Sequence, residues 1–149
     1  MMTKHPILIA CIGAILANSA PGHEKTKTAG PNGGRVLTKS EPDVEFFVLP
    51  DRRIQLTALD KNGKPAPVTT QIVTATGGDR FKPTKFAFAK QGDVLVSDQP
   101  LPTGNNTPLI LQFKTTADGA TVTERIAVNL ADCSGCKLKE YACICDHDH

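Results

Sequence analysis

Val44-Glu45-Phe46-Phe47-Val48-Leu49, followed by Ile54-Gln55-Leu56-Thr57-Ala58, is the stretch that decides the fold class. The first run is apolar and rich in β-branched and aromatic residues, the composition of a buried or half-buried strand. In the second, Ile54, Leu56 and Ala58 alternate with Gln55 and Thr57. A period of two sets the apolar residues on one face of a strand. Asn62-Gly63 then marks a tight turn. Outward from here, Gln71 to Thr76, Lys85 to Lys90 (with Phe86 and Phe88 on one face) and Asp93 to Ser97 read as further strands. Leu109 to Thr115 and Thr121 to Leu130 follow, joined through Asp118-Gly119, with Ile126, Val128 and Leu130 pointing one way. No stretch carries a helical period. Short strands cut by frequent turn signals predict an all-β fold, a single β-sandwich of about seven or eight antiparallel strands over residues 34–130.

Composition bounds the function. The chain has 149 residues, a formal charge of +2, no tryptophan, one tyrosine and six phenylalanines. Nucleic-acid binding would call for a basic patch interleaved with stacking aromatics, and neither is present. The acidic residues lie at turns and at strand positions expected to face water. All four histidines fall outside the strands: His5 and His23 precede them, His147 and His149 follow. A serine or cysteine nucleophile would therefore have no histidine base within the domain. A Cys-x2-Cys redox dithiol would sit at a helix N-terminus in a βαβ setting that is missing here. The sequence reads as a protein that is not an enzyme.

The N-terminus predicts export. Lys4 lies in a short basic segment, Pro6 to Ala17 is apolar and uncharged, and Ala17-Asn18-Ser19-Ala20 supplies small residues for cleavage. That order of regions is a secretory signal over residues 1–20, and its apolar run is too short to span a bilayer. Leu8-Ile9-Ala10-Cys11 has the look of a lipoprotein cleavage box but lies too early in the apolar run. Residues 21–33 then form a polar leader, and the mature product is expected to be periplasmic or secreted, with no transmembrane segment.

The most concentrated chemistry is in the tail, residues 131–149. Cys133-Ser-Gly-Cys136 is followed by Cys143-Ile-Cys145 and then by His147-Asp-His149. Thiolates and imidazoles are the ligands zinc and copper(I) select, and a tetrahedral site needs four of these six. Gly135 gives the first pair the backbone freedom of a tight turn. The expected metal ligands are Cys133, Cys136, Cys143 and Cys145, with His147 or His149 replacing one thiolate or forming a second, weaker site. In an oxidising compartment the same cysteines can close as disulfides, and the chain would then read as an interaction or structural module of the cell envelope. A Cys143–Cys145 bridge would be geometrically hard, whereas pairings between the two couples would staple a small loop. With only Leu138, Tyr141 and Ile144 as larger apolar residues, the tail is expected to stand apart from the core.

Gly30-Pro31-Asn32-Gly33-Gly34 lacks the lysine and following helix of a phosphate loop and reads as a turn into the first strand. Together with Arg35-Val36-Leu37, Val44 to Val48, Ile54 to Asp60 and Gly63-Lys64-Pro65, it resembles a small periplasmic module. That module is found near heavy-metal efflux adaptor subunits and in short secreted proteins of Gram-negative bacteria. The resemblance implies envelope metal-efflux components as partners. Asn32 stands where that family often has histidine, so the resemblance implies no metal ligand at this loop.

Overall fold

A computed structural model describes residues 27–69 and 71–145. The signal segment with Cys11, and the terminal His147 and His149, lie outside the described residues. Among the described residues nine strands follow one another: β1 (Arg35–Leu37), β2 (Val44–Val48), β3 (Ile54–Leu59), β4 (Pro65–Ala66), β5 (Ile72–Gly78), β6 (Pro83–Gln91), β7 (Val94–Ser97), β8 (Asn106–Lys114) and β9 (Val122–Asn129). A 3-10 turn, η1 (Glu140–Ala142), lies in the described part of the tail. The expected all-β class is what the chain adopts.

All pairings are antiparallel, in the order β1-β2-β3-β7-β6-β5-β8-β9, with β4 added on β3. The sheet bends within β6. The first half of that strand pairs with β5, as in Phe86 opposite Ala75, and its last residues pair with β7, as in Phe88 opposite Ser97. The two halves of the sheet share one core. Phe46, Ile54 and Leu56 from the first half meet Leu109, Leu111, Phe113, Ile126 and Val128 from the second. These are the residues that the period of two assigns to the inner face. The nearly closed, barrel-like sheet leaves β1 and β9 as its two ends, and they do not pair with each other.

Two devices fill the seam between those ends. Glu124 on β9 lies opposite the inward-facing Leu111 of β8, and its carboxylate reaches across to accept from the Lys39 backbone N–H at 3.2 Å. The Lys39 ammonium stands 3.5 Å away. An inward charge on an edge strand also discourages pairing with another chain. The second device is η1, which contacts both β9 and β1. Tyr141 and Ala142 belong to the main core. The expectation that the tail stands apart is thus corrected: its one aromatic residue is a core residue.

Glu45 needs a second correction, since its strand position should face water. It is fully buried. The turn Gly30–Gly34 folds over that face of β2. One carboxylate oxygen accepts from the N–H groups of Asn32 and Gly34, each at 2.8 Å, and the other from the Asn32 side-chain amide at 2.7 Å. A Cβ at Gly30 would collide with the Glu45 side chain, and one at Gly34 with the Phe46 carbonyl. The glycines are therefore required by close approach, and Asn32 is spent on holding Glu45. Glu45→Ala would leave three donors without their acceptor, at about 1–3 kcal/mol for a buried group. The expected result is a melting temperature lowered by well over about 5 °C, read by circular dichroism. An unchanged melt would show that the turn does not depend on the carboxylate.

Candidate metal centre

The tail folds back as a small hairpin before it enters the seam. Asp132 and Lys139 face each other across an isolated bridge. Their side chains pair at 2.6 Å. The Cys133 N–H donates to the Leu138 carbonyl at 2.7 Å, and the Lys137 N–H to the Cys133 carbonyl at 3.2 Å. Lys137, just past Cys136, takes a left-handed φ of 59°. That conformation costs a residue with a side chain roughly 1–2 kcal/mol, and it is what turns the chain tightly around the first cysteine pair. The Glu140 N–H then donates to the Ala131 carbonyl at 2.9 Å, which starts η1 and delivers Cys143 and Cys145 beside the first pair.

Within η1 the Tyr141 ring meets Phe46 edge-on, with centroids 5.6 Å apart. Its hydroxyl oxygen accepts from the Val48 N–H at 3.0 Å. Burial, and secondarily the nearby Glu45 carboxylate, push the phenol above its ordinary pKa. Leu138 packs close to Gly33. The cysteine-bearing segment is therefore anchored in the core on one side and against the glycine turn on the other.

The four cysteine sulfurs all lie within 4.8 Å of one another. Cys133 and Cys143 are 3.3 Å apart, and Cys136 and Cys143 are 3.8 Å apart. A tetrahedral ion with metal–sulfur bonds of about 2.3 Å spaces its ligands about 3.8 Å apart. None of the four is bridged. The donor set suits a soft or borderline cation, and these residues can hold one.

Backbone N–H groups tune the sulfurs unequally. The N–H groups of Ile144 and Leu138 point at Cys136 and pull its pKa down to about 6. Cys145 is pushed up to about 12, first by desolvation and then by the neighbouring sulfurs. Cys143 is raised chiefly by its contact with Cys133. One sulfur is thus held ready as a thiolate, while two must be deprotonated by an arriving cation.

Cys133 is buried and the other three sulfurs are partly exposed. Cys143 and Cys145 line a cleft of about 310 Å³ together with Lys27, Arg35 and Val36. Every cysteine expected from the spacing is in the cluster. Two features of the centre escaped that spacing: the Tyr141 anchor and the Lys137 turn. Only the isolated tyrosine between Cys136 and Cys143 hints at the first.

A scan against family models, a search of curated proteins and a search of solved structures find no match to this chain. Its function must be argued from the site itself. No helix among the described residues is long and apolar enough to cross a membrane.

Proposed function

We propose that the chain is an exported, non-enzymatic protein that holds one zinc or copper ion in its cysteine cluster and serves metal homeostasis in the cell envelope. One observation carries the reading: four unbridged thiols converge within 4.8 Å at a spacing suited to tetrahedral coordination. Four thiolates fill a closed shell and leave no open position for a substrate, which is the pattern of a structural or storage site. Zinc suits four-coordination, and thiolate softness also admits copper(I). His147 and His149, two and four residues beyond Cys145, supply a second, weaker set of donors. Export rests on the ordered basic, apolar and small-residue regions of residues 1–20. Partnership with metal-efflux components rests on the resemblance of the Gly30–Gly34 turn and the strands after it to the periplasmic module.

One preparation tests both halves. Untagged protein from the envelope fraction should begin near Ala20 or Pro21 and give an X-ray absorption spectrum with an all-sulfur shell at about 2.3 Å for zinc. An intact Met1 on a cytoplasmic product would remove the export half. A shell of nitrogen and oxygen would remove the four-cysteine site.

A further inference from the structure

We propose that Cys143 and Cys133 also form a thiol–disulfide exchange pair, with Cys143 the entry sulfur and Cys133 the resolving one, so that a small disulfide oxidant expels the ion while the tail stays in the core. The expulsion of the ion rests on the proposed metal site; the exchange itself does not.

Three observations meet at this pair. Its sulfurs stand 3.3 Å apart, so a shift of about an ångström brings them to bonding distance. The two differ sharply in access. Cys133 is 3 % exposed, whereas Cys143 is partly exposed and opens on the 310 Å³ cleft. Of the two, an incoming reagent reaches Cys143, and Cys133 stands buried beside it. Among the residues lining the cleft, Lys27 and Arg35 outnumber the single acid Glu140, which favours an anionic reagent.

The chemistry is ordinary exchange. Cys143 first gives up its proton to solvent; its thiolate then attacks one sulfur of a low-molecular-weight disulfide, forms a mixed disulfide and releases one small thiolate. The Cys133 thiolate then attacks the Cys143 sulfur and releases the second small thiolate. Two protein thiolates have become one protein disulfide, and the oxidant has become two thiolates. Only Cys136 and Cys145 then remain, too few for a four-thiolate shell. The new bond closes a ring that contains η1. Tyr141, two residues before Cys143, therefore stays tethered beside Phe46.

The test treats the metal-loaded full chain with glutathione disulfide while following released metal, free thiols and intact mass. Trypsin then cuts after Lys137 and Lys139, and fragmentation of the linked peptides locates the bond. The expected first product is Cys133–Cys143, formed with loss of one ion per chain and no lasting glutathione adduct. Of chains keeping a single tail cysteine, the one with Cys143 should take up glutathione at least about tenfold faster than the one with Cys133, because exchange follows thiol access. The Cys136→Ser/Cys145→Ser chain, which keeps the pair, should close internally. A first bond at Cys133–Cys136 or Cys136–Cys143, or a mixed disulfide that persists in the parent, would overturn the proposal. A parent that forms Cys133–Cys143 but never carried metal would preserve the exchange pair and remove the metal site.

Discussion

A Tyr141→Ala chain is expected to lose a large share of its stability, although the substitution lies twelve residues beyond the last described strand. The side chain is 4 % exposed and packs on Phe46 at the centre of the first half of the sheet. Emptying a site of this size costs about 3–5 kcal/mol, against the roughly 5–15 kcal/mol that hold a small domain together. The seam between β1 and β9 would also lose the turn that covers it. Tyr141→Phe keeps the ring and removes only the oxygen that accepts from Val48, so it should cost about 1 kcal/mol. Stopping the chain after Ala131 should do more harm than either. Urea melts of the three chains check this ordering. A truncated chain with the parent's midpoint and slope would show that the tail is an appendage.

The second large effect is on metal affinity, and its pH dependence follows from the site. Cys143 and Cys145 have raised pKa values, so near neutral pH both carry protons that binding must expel. Each proton expelled makes the dissociation constant rise about tenfold per unit of falling pH, so a slope of at least about a hundredfold per unit is expected. Cys136 behaves in the opposite way. Its depressed pKa, about 6, keeps it a thiolate at neutral pH; the stabilisation it draws from the Ile144 and Leu138 N–H groups is lost as pH falls through that value. Below it, the slope steepens by one further proton. Isothermal titration with zinc in buffers of different ionisation enthalpy measures the protons released. A pH-independent affinity would contradict thiolate coordination.

The strands were legible because each half-buried run writes its own period. Ile54, Leu56 and Ala58, and Ile126 and Val128, face the core as their alternation requires. β4 was not legible, since two residues, one of them proline, carry no period. Glu45 was misread for a different reason. Its position in β2 is outward, and the cover comes from a turn eleven or more residues away whose approach no local pattern encodes. That the four cysteines come together was legible in their spacing, because short spacing constrains where sulfurs can go. The role of Tyr141 was hidden because a single aromatic residue in a polar segment has no neighbours in sequence to reveal which face it buries.

The four cysteines are proposed to hold one ion. Elemental analysis of untagged, reduced, metal-replete protein, with a free-thiol count on the same sample, addresses this directly when parent and Cys133→Ser/Cys136→Ser chains are compared. One ion per parent chain and none in the double variant is the expected result. Equal metal in both, or none in the reduced parent, would contradict it.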